Sequence, residues 1–201
     1  MTLHAASIAP NRVLADLIPA TKVNAYARDA VLVAAGAGLT GLAAQVVIPI
    51  PAISPVPFAL STLTVLLLGA ALGPARAVAS MTLYLIAGVA GMPWFAEGNS
   101  GVVGLVSFGY ILGYIAAAGL VGALAKRGGD RTIGRTIGVM VAGSAVIYAF
   151  GVPYLMWVAD MGVVDGMTKG AAVFIVTDVI KVAIAAALLP SAWALVRRFQ
   201  G

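Results

Sequence analysis

The chain has 201 residues, 62% of them hydrophobic and only 9% charged, and it contains no cysteine. A soluble domain is roughly 25% charged, so this chain cannot clothe a water-facing surface and much of it must face lipid; disulfides and thiolate metal sites are excluded. The net charge of +5 does not mark a nucleic-acid binder, because the basic residues sit between apolar runs, as topology signals do.

Residues 1–29 place Asn11, Arg12, Asp16, Lys22, Asn24 and Arg28 among short apolar stretches, with no apolar run of signal-peptide length. This segment reads as a cytoplasmic tail with a short amphipathic part at Val13–Ile18. The single histidine, His4, falls within it, which argues against a histidine-based metal site.

A spanning helix needs roughly 20 mainly apolar residues. Six segments approach that length: 30–48, 58–73, 75–91, 105–125, 136–158 and 171–196. In the first, Ala30, Ala34 and Gly38 recur every four residues, a spacing of small residues that lets another helix come close. Internal packing and a docking face for a partner both fit it. The run 49–57 holds four prolines and cannot be regular helix. Thr62 and Thr64 on the second segment and Tyr84 on the third are polar groups with either packing or ligand roles. Gly73-Pro74 breaks the chain between those two segments.

The loop 92–104 is rich in glycine. Gly98-Asn99-Ser100-Gly101 offers backbone N–H groups and one amide side chain. Trp94 and Phe95 suit stacking on a flat ligand, but interfacial anchoring is the simpler reading; Glu97 reads as solvated at the rim. Ser107, Tyr110 and Tyr114 follow on the fourth segment, the two tyrosines four apart on one face. Lys126 to Arg131 and Asp160 to Lys169 read as polar turns.

The sixth segment carries Asp178 and Lys181 in an otherwise apolar helix. They lie seven and ten residues beyond Ala171, about 10–15 Å along the axis. Three residues apart, they share a face. Ionisable groups at such depth are costly and usually face an interior cavity. An ion pair that fixes packing and a pair that grips a ligand are both compatible with the spacing.

The expected fold is therefore an all-α membrane protein of six transmembrane helices, with the membrane domain over residues 30–198. With the N-terminus in the cytoplasm, ten basic residues fall inside: Arg12, Lys22, Arg28, Arg76, Lys126, Arg127, Arg131, Arg135, Arg197 and Arg198. Lys169 falls outside and Lys181 within the membrane, which accounts for all twelve. The bias is the one the positive-inside rule asks for. It would collapse with one helix fewer, so both termini are expected in the cytoplasm.

Several runs resemble the BioY family, the biotin-specific S components of energy-coupling-factor transporters. Pro55-Val56-Pro57, Leu60-Ser61-Thr62-Leu63, Leu66-Leu67-Leu68-Gly69 and Leu72-Gly73-Pro74 follow that family's opening pattern. Tyr84-Leu85 with Gly91-Met92-Pro93-Trp94-Phe95, then Gly109-Tyr110-Ile111-Leu112-Gly113-Tyr114, match later motifs. Asp178-x-x-Lys181 matches the Asp-x-x-Lys of its last helix. The likeness spans residues 30–190. Two departures are Ser61, where the family often has Gln, and Val106-Ser107-Phe108, where it often has Pro-Thr-Gly.

The resemblance implies a six-helix S component of the bacterial cytoplasmic membrane that captures biotin from outside. It implies partners as well: a membrane-embedded T component, docked through Ala30 and Ala34, and two cytoplasmic ATPases. Biotin is then a transported ligand, with no cofactor. The chain has no GxxxxGK[ST] motif, so ATP hydrolysis would belong to partners. The implied substrate contacts are Asp178, Lys181, Asn99, Tyr84, Tyr110 and Ser107.

Biotin's ureido ring has two N–H donors and a carbonyl, which suit a carboxylate and an ammonium together. The expected pose puts that ring at Asp178 and Lys181 and the valerate carboxylate near Asn99. The reverse pose, with the carboxylate on Lys181, stays open. So do an S component for another vitamin and a structural membrane subunit. An intramembrane enzyme would need a further catalytic constellation, which the helices lack.

Overall fold

In the computed structural model of the chain, the described residues are 11–19 and 22–200; His4 lies outside them. Seven α-helices follow one another: α1 Lys22–Gln45, α2 Ser61–Leu72, α3 Pro74–Val89, α4 Phe108–Lys126, α5 Ile133–Val158, α6 Val163–Gly170 and α7 Ile175–Gln200. Each of the six apolar segments thus forms a helix. Two short strands, β1 Val47–Ile48 and β2 Phe58–Ala59, pair antiparallel and close the proline-rich loop 49–57 into a hairpin.

Four helical stretches are long and apolar enough to cross a membrane: Asn24–Gln45, Phe108–Lys126, Ile133–Val158 and Val163–Phe199. With 12 and 16 residues, α2 and α3 reach only about 18 and 24 Å, short of a hydrocarbon core of about 30 Å. They form a hairpin. Gly73 turns the chain at φ 80° and ψ 171°, a conformation that favours glycine. Pro74 then opens α3 at a position where its missing N–H costs nothing. At Gly122 of α4, a Cβ would collide with the backbone of Gly73 and Pro74. The absent side chain lets α4 pass directly against this turn.

The helices of the six apolar segments alternate in direction as they follow one another in the chain, so the neighbours α2 and α4 run parallel. Ser61 of α2 meets Tyr114 of α4, while Gly69 lies beside Ala118 and Val121. Tyr148 of α5 meets Asp178 of α7 near one end, and Trp193 of α7 meets Asp130 near the other. The bundle therefore has a pocket end, at the loops 49–57 and 90–107, and an arginine end, at the turns 73–74 and 127–132.

The arginine end is pinned by charge. A 3₁₀ turn at Leu14–Leu17 buries Val13 and Ala15 beneath the Gly73 turn. Asp16 accepts from the Val13 N–H at 3.1 Å and from Arg76 Nη1 at 2.8 Å. Arg76 also pairs with Asp29, and Asp29 with Arg28, both at 2.9 Å. These pairs explain why α1 begins at Lys22, eight residues ahead of the apolar run that starts at residue 30. Trp193 donates its indole N–H to the buried Asp130 at 2.6 Å, and Arg131 lies over the indole at 4.7 Å.

One sequence expectation needs correction. The stretch 160–169, read as a polar turn, contains helix α6. Gly162, in extended backbone, precedes it, and Asp165 pairs with Lys169 across one turn at 3.7 Å.

Candidate functional site

A cluster of polar side chains lies among the helices at the pocket end. Lys181, on α7, sends its Nζ to Thr62 Oγ1 on α2 at 2.6 Å, and the same nitrogen lies 3.5 Å from Asp178 Oδ1. Asp178 Oδ2 accepts from Tyr148 Oη on α5 at 2.5 Å. The side chains of Lys181 and Asp178 are only 12% and 16% exposed, so this is a buried chain linking three helices rather than a surface ion pair. Buried charges of this kind persist only when paired and hydrogen-bonded.

Beside this chain is a small cavity of about 40 Å³. Lys181, Thr62, Tyr148, Tyr110 and Tyr114 line it, with Phe174 and the Pro57–Ala59 stretch above. Aromatic rings make up much of the wall: Phe174 lies 4.6 Å from Phe58 and 6.3 Å from Tyr148, and Tyr84 stacks 6.5 Å from Tyr114. Ser61 Oγ and Tyr114 Oη are hydrogen-bonded at 2.9 Å. The wall is thus apolar and aromatic with few polar groups, the usual composition of a small-molecule site. Such sites commonly measure about 300–1,000 Å³, so a vitamin-sized ligand needs the walls to draw apart.

The substrate contacts expected from the sequence fall into three groups. Lys181, Tyr84, Tyr110 and Ser107 line the cavity. Two of these have hydroxyls already engaged by main chain: Tyr110 donates to the Gly170 carbonyl at 2.7 Å, and Tyr84 to that of Trp94 at 3.2 Å. Their rings, more than their hydroxyls, face the space. Asp178 stands behind Lys181 and also lines an apolar groove between α5 and α7.

Asn99 is exposed and lies in an outer depression of about 200 Å³ with Glu97, Ser100 and Ser107. That depression and the cavity share Pro57, Ala96 and Ser107, so it forms a vestibule. The loop's N–H groups are not free as the glycines suggested. Those of Gly98, Asn99 and Gly101 are bonded to Phe95, Ala96 and Gly88 carbonyls, and the Asn99 amide donates to Ala96.

Trp94 and Phe95 are neither exposed anchors nor part of the cavity wall. Phe95 is fully buried in a notch at Gly88, and Trp94 packs on Gly41 and donates to the Tyr84 carbonyl. On α1, Ala30 and Ala34 are exposed, and Gly38 has open space where a side chain would be. Tyr148 and Phe174 were not singled out from the sequence. A hydroxyl in the apolar run of α5 was the available signal for Tyr148, but its partner lies 30 residues away.

Residues 15–198 match the model of the BioY family. The biotin transporter BioY of Rhizobium etli is 32% identical over 166 residues, covering 75% of this chain and 88% of that protein. The probable biotin transporter BioY of Pyrococcus horikoshii is 33% identical, covering 79% and 92%. The fold is similar to the crystal structure of the S-component for biotin from an ECF-type ABC transporter. That match has a TM-score of 0.73 and 22% identity, and covers 90% of this chain and 95% of that one.

Proposed function

The chain belongs to the BioY family, and we propose that it is the biotin-capturing S component of an energy-coupling-factor transporter. It sits in the cell membrane, crossing it six times with the pocket end outward and the arginine end in the cytoplasm. The charge bias of the sequence supports this orientation. So does the clustering of Arg28, Arg76, Arg127, Arg131 and Arg135 at the end away from the cavity. The two short helices, α2 and α3, are buried largely by α4 and α1, so they need little lipid contact of their own.

One observation carries the reading: Lys181, backed by Asp178 and clasped with it by Thr62 and Tyr148, stands at the wall of an aromatic cavity. A packing ion pair would need no space beside it. The ureido ring of biotin presents two N–H groups to the carboxylate and its carbonyl to the ammonium. The thioether ring lies among Tyr110, Tyr114 and Phe174. The valerate leads through the vestibule toward Ser107 and Asn99. Energy comes from a T component and two cytoplasmic ATPases, with the small exposed face of Ala30 and Ala34 docking the T component.

The test is titration of purified protein with biotin, beside Lys181→Ala. Removing one member of a buried pair should weaken binding by about 3 kcal/mol, roughly 150-fold. A folded wild type that ignores biotin but binds another vitamin would reassign the substrate and keep the site. A bound structure with the biotin carboxylate on Lys181 would reverse the pose.

A further inference from the structure

At the arginine end, the turn after α4 and the start of α5 enclose an open depression of about 330 Å³ that biotin capture does not use. Leu124, Gly129, Gly138 and Val139 form its apolar lining, and Arg127 and Arg135 flank it. Gly138 leaves it open: a Cβ there would meet no heavy atom within 4 Å, and the same is true of Gly134 one turn earlier. Both arginines are exposed. Among the described residues, neither has a carboxylate partner, although Arg28 and Arg76 at the same end are paired.

Two unpaired guanidinium groups beside an apolar depression at a membrane boundary are complementary to a phosphate that carries a hydrocarbon tail. Guanidinium forks bind phosphate oxygens in pairs, and basic pockets between helices at the cytoplasmic boundary suit anionic headgroups. Gly134, Gly138, Val141 and Ala145 share one exposed face of α5. From Gly134 to Ala145 that face runs about 16 Å, close to the depth of one leaflet of a hydrocarbon core of about 30 Å. A soluble phosphate would have no use for this strip. The proposed docking face on α1 lies elsewhere, since α1 packs on α2 and α3 while α5 packs on α4, α6 and α7.

We propose that Arg127 and Arg135 bind the phosphate of an anionic phospholipid whose acyl chain lies along α5 from Gly134 and Gly138. Only a bilayer location is required, so the inference stands or falls apart from biotin. The test is native mass spectrometry of the detergent-purified protein titrated with phosphatidylglycerol, phosphatidylcholine and glycerol phosphate. Phosphatidylglycerol should be retained over phosphatidylcholine, and glycerol phosphate should not compete.

The Arg127→Gln/Arg135→Gln double variant should weaken phosphatidylglycerol retention about thirty-fold, about 2 kcal/mol at 1.4 kcal/mol per tenfold and ~1 kcal/mol per arginine. Gly138→Leu, whose Cβ would meet no heavy atom within 4 Å, puts a side chain into the depression and should also lose the lipid. Biotin titration of each variant checks that it is folded. Equal retention of the two lipids, or unchanged retention in both variants, overturns the proposal. So does full competition by glycerol phosphate, which would make this a free-phosphate site. Unchanged lipid retention with loss of the co-purified T component or ATPases would make it a protein-docking surface.

Discussion

The pocket end and the arginine end both carry charge, but they hold it differently. At the pocket end, Asp178, Lys181, Tyr148 and Thr62 are linked across three helices and stand beside a space. At the arginine end, Asp16, Arg76, Asp29 and Arg28 are linked to one another near the surface, beside an open depression of about 170 Å³ with no aromatic side chain in its lining. Burying charge is expensive. In the proposed function the charge beside the cavity serves recognition; where the pairs are partly exposed they hold the ends of helices at modest gain.

That contrast predicts opposite mutational signatures. Asp178→Asn keeps an acceptor for the Tyr148 hydroxyl but leaves Lys181 without a counter-charge. It should weaken biotin binding by about 2 kcal/mol, roughly thirty-fold, in protein that still folds. Unchanged affinity by titration calorimetry would take Asp178 out of the site and make the pair a packing device. Arg76→Gln, at the other end, breaks the pairs to Asp16 and Asp29, whose side chains are 28% and 39% exposed. It should cost about 1 kcal/mol of stability, since partly exposed pairs are worth little, and leave biotin affinity unchanged. Affinity loss as large as that of Asp178→Asn would erase the distinction between the two ends.

The two ends were also unequally legible from the sequence. Apolar runs located α1 to α5 and α7, and Gly73-Pro74 marked the hairpin turn, because both signals are local. The Asp178–Lys181 pair was visible because two residues three apart on one helix share a face. Its clasp was not: Lys181 meets Thr62 across 119 residues and Asp178 meets Tyr148 across 30, and periodicity within a helix does not say which helices are neighbours. The glycine loop misled for a similar reason. Its N–H groups looked free, but Phe95, buried at Gly88, folds the loop back so that carbonyls of Phe95, Ala96 and Gly88 take them up. In α6, eight residues with an Asp, a Lys and two glycines carry too little pattern to separate a helix from a turn.

The smallest expected effect tests the arginine end alone, through pH. Two carboxylates there have shifts of opposite sign. Burial pushes Asp16 up, but hydrogen bonds from Arg76 and the Val13 N–H outweigh it and hold the carboxyl below its ordinary 3.8. Its contribution is present above pH 3.8 and fades as pH falls through the lowered value. Burial likewise pushes Asp130 up, and the Trp193 hydrogen bond does not offset it. Its unfolded form ionises first as pH rises, so between 3.8 and the raised folded value the native state loses stability. Asp130→Asn removes that loss and keeps an acceptor for the indole. The melting temperature of the variant should therefore rise relative to wild type from acid toward neutral pH, then run parallel. Asp16→Asn should do the reverse, falling relative to wild type over the acid range. Coincident pH profiles for Asp130→Asn and wild type would mean that the Trp193 hydrogen bond and the Arg131 charge offset the burial of Asp130 in full.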